Sequence, residues 1–141
     1  MKTSIAALGV IITLSLGACS QNTSDLTEKS RPTIVTSKEN YQAVYRRLSK
    51  QYDCSDGAWA GAFASFQVDR QLYTELGFGE LAFRLSNLGM NNYYSYIKVS
   101  QDGNGSRTEI YTGNTLAAPK EALFLSEIAS GARQPNCNYW G

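Results

Sequence analysis

The feature that most constrains the fold is an alternation of apolar and polar residues with a period of two. In "ELAFRLSN" (80–87), Leu81, Phe83 and Leu85 take the inward positions, and Glu80, Arg84 and Ser86 take outward ones. This period puts every second residue on the same face of a β-strand, so the segment predicts a strand with one buried and one solvated face. "YYSYIKVS" (93–100) alternates in the same way and predicts the next strand.

Turn residues connect these strands to others. "QDGNG" (101–105) contains Asp-Gly and Asn-Gly, two pairs that accept the positive φ angles of a tight hairpin. "SRTEIYTG" (106–113) is therefore predicted to return antiparallel to the strand before it. "GAFASFQVD" (61–69) alternates less regularly and predicts a further strand, and the short, β-branched "TIV" (33–35) predicts a brief first one.

Two other segments show the three- and four-residue spacing of an amphipathic helix. Thr36 and Glu39 have the spacing of a capping box at the start of the first. Pro119 suits the first turn of the second, Glu121 suits the positive end of its dipole, and Gly131 suits its end. The apolar faces comprise Tyr41, Val44, Tyr45, Leu48 and Tyr52 in the first helix, and Ala122, Leu125, Ile128 and Ala129 in the second.

These elements follow one another in the order β-α-β-β-β-β-α. A sheet and two helices that each have one apolar face can bury those faces by packing together. We therefore predict an α+β fold, a two-layer sandwich in which an antiparallel sheet of four to five strands is covered by two helices. A chain of 141 residues makes at most one ordinary domain, which we place at residues 33–141.

Residues 1–18 have the character of a secretory signal peptide. Lys2 supplies a positive charge, and "IAALGVIITLSL" (5–16) follows without a charged residue. This run is too short to span a bilayer, which needs roughly 20 residues, and small residues follow it. The alternative is a buried helix of the folded domain, although the polar stretch that follows separates the run from any packing surface.

The end of this segment, Leu16-Gly17-Ala18-Cys19, resembles the lipobox of bacterial lipoproteins. In that family the signal is cleaved before the Cys, whose thiol receives a diacylglycerol and whose new amine is acylated with a fatty acid such as palmitate. The resemblance implies that Cys19 is a lipidated N-terminus. Ser20 in place of Asp after the Cys implies anchoring in the outer membrane of a Gram-negative bacterium, with the domain facing the periplasm.

The polar stretch that follows predicts a tether between the anchor and the domain. "SQNTSDLTEKSRP" (20–32) is almost free of large apolar residues and cannot bury a core of its own. Together with Cys19, we predict residues 19–32 to be a lipidated N-terminus and flexible linker. A loose coil of this length spans about 20 Å.

The remaining cysteines form an even pair if Cys19 carries lipid. Thiols of an exported protein lie in an oxidising compartment, where two remaining cysteines tend to pair. We therefore predict a disulfide between Cys54 and Cys137, which would join the start of the domain to its end. The alternative is two free, buried thiols.

The order of elements also resembles that of helix-grip domains, such as those of the BamC family of outer-membrane assembly lipoproteins, and of small uncharacterised lipoproteins of proteobacteria. The likeness rests on element order alone, so it implies no functional residue. It does imply a role in envelope assembly or maintenance through a protein partner.

Composition and motifs argue against several classes of function. The net charge of +1 gives no basic field for nucleic acid, and the absence of histidine removes the commonest general base and metal ligand. No residue lies in a recognisable nucleophile elbow, and acidic residues are scattered singly. We therefore predict no catalytic residue, no metal and no cofactor, and a protein that is not an enzyme.

Two functions remain. Tyr94, Tyr96 and Tyr111 would form an aromatic patch on the outer face of the sheet, suited to binding an envelope protein, although tyrosine is also an ordinary strand residue. The alternative is a carrier or sensor of a hydrophobic ligand, such as a lipid, bound between the sheet and the C-terminal helix. A carrier needs an apolar cavity of roughly 300 Å³ or more, whereas a scaffold would have a filled core.

Overall fold

The computed structural model describes residues 20–113 and 115–140, and the predicted signal peptide and Cys19 lie outside them. In chain order the elements are α1 (Thr23–Lys29), β1 (Thr33–Ser37), α2 (Tyr41–Tyr52), β2 (Ala64–Tyr73), β3 (Phe78–Asn87), β4 (Met90–Asp102), β5 (Gly105–Thr112) and α3 (Ala118–Ser130), followed by a 3-10 turn (Cys137–Trp140). The predicted α+β fold is confirmed, its sheet has five strands, and α1 is a helix additional to the two predicted.

The strands form one antiparallel sheet in the order β1-β5-β4-β3-β2. Strands β2, β3 and β4 each pair with the next strand in the chain, as in a meander of hairpins, and β1 pairs with β5. The turn between β4 and β5 closes on the pair Asp102 and Gly105, and Gly103 has a φ of 56° there. The Asp-Gly and Asn-Gly signal therefore predicted this hairpin correctly.

Helices α2 and α3 pack on one face of the sheet, which we call the inner face; the other is the outer face. Alternate residues of β3, β4 and β5 point inward and meet the apolar faces of the two helices. Burial of these side chains removes apolar surface from water and is the main stabilising contribution to the fold. The most deeply buried members of this core are Val44, Leu48, Tyr52, Leu81, Ile97, Val99, Ile110, Leu125, Ile128 and Ala129.

The start of α2 differs from the prediction. Strand β1 extends to Ser37, so Thr36 lies in a strand, and Asn40 caps the helix by accepting a hydrogen bond from the Gln42 amide. Glu39 instead pairs with Arg47. Because β-branched Thr36 continues the ladder with β5, the strand prevails over the capping box that the spacing suggested.

The side chain of Arg47 joins the two helices of the inner layer. Its guanidinium donates hydrogen bonds to the Ile128 and Ala129 carbonyls at the end of α3, at 2.7 and 3.0 Å, and to Glu39. Carbonyls at a helix C-terminus lack intrahelical hydrogen-bond donors and carry partial negative charge. A guanidinium provides both the donors and a compensating positive charge. The end of α3 is thereby fixed to α2.

The segment predicted to be a flexible tether is folded from Ser20 onward, and that prediction is wrong. Asn22 caps α1 through a hydrogen bond from the Asp25 amide, and Leu26 is only 1% exposed. A helix of seven residues is marginal alone, so its docking through Leu26 must stabilise it. A single apolar residue in a polar segment was enough to attach the segment to the domain.

Ser20 itself is bound to the sheet. Its carbonyl accepts a hydrogen bond from the Tyr93 amide at 2.9 Å, in an antiparallel bridge beside β4. This contact lies where β5 has already ended, at Thr112, and so Ser20 takes up a strand edge that would otherwise be open. The described chain therefore has no free linker between Ser20 and the domain.

Candidate binding sites on the two faces of the sheet

Of the covalent sites predicted from sequence, the structure describes the cysteine pair. Cys54 and Cys137 form a disulfide, with their Cα atoms 5.2 Å apart. Beside it, the buried Gln51 side chain makes two hydrogen bonds with the backbone of Asn136, at 2.7 and 3.1 Å. These contacts fix the C-terminal segment against the end of α2. Cys19, the predicted lipidation site, lies outside the described residues.

Two of the three tyrosines predicted to form a patch lie together on the outer face. The rings of Tyr96 on β4 and Tyr111 on β5 have centroids 5.8 Å apart, as expected of directly paired residues. The Tyr96 hydroxyl donates a hydrogen bond to Glu80 at 2.5 Å, and the Tyr111 hydroxyl donates one to Glu109 at 3.4 Å. Both hydroxyls are therefore already engaged within the sheet.

Tyr94 lies elsewhere, and its predicted place in the patch is wrong. The register of β3 and β4 shifts between Phe83 and Arg84, so Tyr94 is an extra residue, a β-bulge. Its ring packs against Phe83 and Phe66 at centroid distances of 6.1 and 6.2 Å, beside the core. Strict alternation would have kept Tyr94 and Tyr96 on the same face, and the bulge separates them.

Carboxylates and cations neighbour the outer tyrosine pair. On the row beside it, Lys98 lies between Glu80 and Glu109 in the strand register. Burial, followed by the hydrogen bond to Glu80, raises the pKa of Tyr96 far above its usual value, and burial and Glu109 raise the pKa of Tyr111. Both phenols therefore stay neutral and act as hydrogen-bond donors over the physiological pH range.

The inner layer contains an open pocket between the sheet and the start of α3. Its volume is about 320 Å³, and it is lined by Ser55, Phe66, Phe83, Tyr94, Thr115, Ala117 and Glu121. Three aromatic rings from β2, β3 and β4 form one wall. The bulge at Tyr94 contributes one of those rings, so the same irregularity that divides the tyrosine patch builds this pocket.

Glu121 supplies a buried carboxyl to the wall of the pocket. The residue is 6% exposed, and its Oε1 atom has no hydrogen-bond partner among the described residues. Burial raises the pKa of Glu121 to about 7, although a hydrogen bond from Ser95 opposes that rise. A buried polar atom without a partner is uncommon, and this one can accept a hydrogen bond from a group that enters the pocket.

The environment of Glu121 extends into the core through Ser95. The Ser95 Oγ atom lies 2.7 Å from the Tyr52 hydroxyl, and both residues are buried. Burial raises the pKa of Tyr52 well above its usual value, and the charge of Glu121 raises it further. Tyr52 therefore stays protonated, and Glu121 is the titratable member of this small network near neutral pH.

The sequence contains a signal for this site besides the helix dipole. Glu121 does occupy the positive end of that dipole, in the first turn of α3. However, Glu121, Leu125 and Ile128 are spaced by four and three residues, so the acid lies on the buried stripe of the helix. A carboxyl on an apolar stripe is the pattern that indicates a buried polar site.

Residues 20–113 and 115–140 contain no group of three or more His, Cys, Asp or Glu side chains placed to hold a metal ion. None of the helices they form is long and apolar enough to cross a membrane. No known protein family matches the chain, and no curated protein matches it.

Proposed function

We propose that this chain is a lipid-anchored protein of the bacterial envelope, held at the periplasmic side of the outer membrane, that binds a small ligand without transforming it. The lipobox that ends at Cys19 supports the anchor, and the disulfide suits an oxidising compartment. The observation that carries the ligand-binding role is the unpartnered carboxyl oxygen of Glu121 in an aromatic pocket.

The chemistry of the pocket defines the class of ligand. Phe66, Phe83 and Tyr94 offer apolar surface and ring faces, and Glu121 offers a hydrogen-bond acceptor that becomes an anion as the pH rises above about 7. A short apolar molecule with one donor group, an amine above all, satisfies both. A volume of about 320 Å³ is at the small end of ligand sites, so the ligand is a small molecule or one short chain of a larger one.

Hexylamine and hexanoic acid, which differ only in the head group, test this proposal. Calorimetric titration of each compound into the protein at pH 7.5 should show that hexylamine binds and that hexanoic acid does not. Glu121→Gln should weaken amine binding by about tenfold, since a hydrogen bond to a charged group contributes about 1.5 kcal/mol.

The matched control is Glu127→Gln, which removes a carboxyl on the same helix that pairs with Arg133 instead. This variant should bind hexylamine as the wild type does. Equal affinity of hexylamine for the wild type and for Glu121→Gln would contradict the proposed role of Glu121, and preference for hexanoic acid would contradict the proposed ligand class.

The anchor is tested separately by the intact mass of protein extracted from cell membranes. A mature chain that begins at Cys19 and carries a diacylglycerol and an acyl group is expected. A chain that begins elsewhere, or an unmodified Cys19, would contradict the anchor and leave the ligand titrations unaffected.

A second candidate function is binding of an envelope protein through the outer face. It is favoured by the paired rings of Tyr96 and Tyr111 on a face that α2 and α3 leave uncovered. Crosslinking in intact cells should yield a partner with the wild type and lose it with Tyr96→Ala combined with Tyr111→Ala. Leu123→Ala, at an exposed position of α3, is the control that should retain the partner. Retention by the tyrosine variant would exclude this face.

A further inference from the structure

One corner of the sheet lies where β2 begins and where the turn joins β3 to β4, and the segments that form it contain no charged residue. Residues 57–68, 85–97 and 110–119 contain no Asp, Glu, Lys or Arg. The strand turns at the opposite end of the sheet contain Glu75 and Asp102. Charges are therefore placed asymmetrically along these strands. The corner formed by the three segments can leave water without a charge of its own being desolvated, whereas Lys29 and Arg31 lie towards β1 at the same end of the sheet.

This uncharged corner also exposes large apolar side chains. Every member of the set is at least 68% exposed. We call them the apolar corner: Trp59, Phe63, Leu88, Met90 and Leu116. Exposed apolar side chains that gather in one place, rather than singly, mark a surface that something covers.

The strand register brings the loops that carry these side chains together. The segment with Trp59 folds back on the edge of β2 through a bridge to Ser65, and Asn87 pairs with Met90 across the turn that contains Leu88. Four strand spacings separate that segment from Ser20 across the sheet, so the corner is roughly 20 Å wide. The pocket-lining Thr115 and Ala117 flank Leu116.

The chain enters the domain at this same place. Ser20 pairs with Tyr93, three residues along β4 from Met90, which corresponds to about 10 Å. Gln21 lines a groove of about 540 Å³ together with Leu85 and Met90. Because consecutive Cα atoms are about 3.8 Å apart, a lipid attached to residue 19 would begin within one residue of this bound segment.

We propose that the apolar corner lies in the headgroup region of the bilayer that holds the lipid anchor, so that the domain stands on the membrane in one orientation. This inference rests on the proposed lipidation of Cys19. The short, folded connection through Ser20 and α1 keeps the corner beside the anchor. The anchor and the corner are then two parts of one membrane-binding surface.

The energetics favour this arrangement. Each large apolar side chain that leaves water stabilises the membrane-bound orientation, and partial insertion contributes part of that gain. Tryptophan is enriched at membrane interfaces, where its ring lies among the headgroups, and Trp59 is the most exposed aromatic residue of the corner. Lys29 of α1 lines a surface groove with Gly113, just after the end of β5, and its ammonium group would stay in headgroup water in this orientation.

Fluorescence quenching of Trp59 by lipid tests the inference. The full chain with Trp140→Phe, isolated from membranes, has Trp59 as its single tryptophan. When this protein is bound to phosphatidylethanolamine–phosphatidylglycerol vesicles with brominated acyl chains, the emission of Trp59 should shift to the blue and lose intensity relative to the protein without vesicles. The matched control is Leu76→Trp with Trp59→Phe and Trp140→Phe, which reports from an exposed position at the opposite end of β2 and should keep its emission.

Intact mass of each sample distinguishes the inference from the proposal on which it rests. A lipidated chain with Trp59 quenched and the control unquenched supports the membrane-facing corner. A lipidated chain in which Trp59 keeps its emission, or in which both positions are quenched alike, overturns it and leaves the anchor intact. An unlipidated chain overturns the anchor and the inference together.

Charge introduced at the corner gives a second measurement on the same samples. Leu88→Asp combined with Met90→Asp should reduce the quenching of Trp59, because an anion resists entry into the headgroup region. Leu123→Asp, on the exposed side of α3, should leave the quenching unchanged. Unchanged quenching in the Leu88 and Met90 variant would contradict contact of these side chains with lipid.

Discussion

Both faces of the sheet carry aromatic rings, but the rings meet different partners. On the inner face, Phe83 stacks between Tyr52 and Phe66 at centroid distances of 5.2 and 5.3 Å, within the core. On the outer face, Tyr96 and Tyr111 direct their hydroxyls to carboxylates on neighbouring strand positions. The inner rings contribute buried area, whereas the outer rings contribute directional bonds at a half-exposed surface.

The difference shows how one period-two pattern serves two purposes. Inner residues such as Ile97 and Val99 are fully buried, so they determine the stability of the fold. Outer residues are held by cross-strand pairs, each of which contributes little, so that face can change without loss of the fold. Glu121 is the exception within the inner layer, since a carboxyl there lowers stability when it ionises.

The largest expected effect comes from truncation of the inner face. Ile97 is fully buried between Leu81 and Ile110 on the neighbouring strands. Ile97→Ala should therefore lower the free energy of unfolding by about 4 kcal/mol, measured by urea denaturation. Lys98→Ala, one residue away on the outer face, should cost less than about 1 kcal/mol. Similar losses in the two variants would contradict the contrast between the faces.

The next largest effect concerns the acid of the inner layer. The pKa of Glu121 in the folded protein, about 7, lies above the usual 4.5, so the folded state binds this proton more tightly than the unfolded chain. The stability that the proton contributes is full below pH 4.5 and is lost as the pH rises to 7. That loss amounts to about 3 kcal/mol, since one pKa unit corresponds to about 1.4 kcal/mol.

Glu121→Gln should remove this pH dependence, because the amide resembles the neutral acid and cannot ionise. Urea denaturation at pH 5 and pH 8 should show the wild type weakened at the higher pH, and the variant more stable than the wild type at pH 8. Parallel pH profiles for the two proteins would show that Glu121 titrates normally.

A smaller effect is expected at the glycine that makes room for α2. A Cβ atom at Gly79, on the inner face of β3, would lie 2.6 Å from the Tyr45 ring. Gly79→Ala should therefore lower the free energy of unfolding by about 2 kcal/mol through overpacking. In a Tyr45→Leu background the same change should cost less, and a double-mutant cycle measures the difference. Equal costs in both backgrounds would exclude the ring as the cause.

The smallest expected effect is on the outer face. Tyr96→Phe removes the hydrogen bond to Glu80 and should lower the free energy of unfolding by about 1 kcal/mol. Tyr111→Phe removes a longer bond, at 3.4 Å, and should cost still less. Thermal unfolding of both variants together with Ile97→Ala compares the loss of stability on the outer face with that on the inner face. A loss in Tyr96→Phe as large as that in Ile97→Ala would contradict the difference between the two faces.

Local periodicity accounts for what the sequence analysis predicted correctly. The inward positions of β3 and the apolar faces of α2 and α3 follow from spacings of two, three and four residues, which the chain carries within each element. The Asp-Gly and Asn-Gly turn is likewise a local signal. The disulfide between Cys54 and Cys137 followed from the count of cysteines that remain if Cys19 is set aside as the predicted lipidation site.

The errors come from contacts between distant segments. The bulge at Tyr94 is a mismatch in residue number between β3 and β4, which neither strand reveals alone. Burial of Leu26 depends on a surface formed by β5 and the start of α3, far along the chain. Glu121 lies on a buried stripe that could have been recognised, but its open pocket depends on rings from three different strands.

The disulfide has a consequence for the biogenesis of the chain. Its two cysteines are 83 residues apart, and four of the five strands and α3 lie between them. A chain exported as proposed emerges from its N-terminus, so the Cys54 thiol lacks its native partner, Cys137, until nearly every element has crossed the membrane. An oxidase can close the native bond only after that moment, and a stalled chain instead offers Cys54 to mixed disulfides with other thiols. Under this proposal, a closed Cys54–Cys137 bond therefore indicates that nearly the whole chain has crossed the membrane.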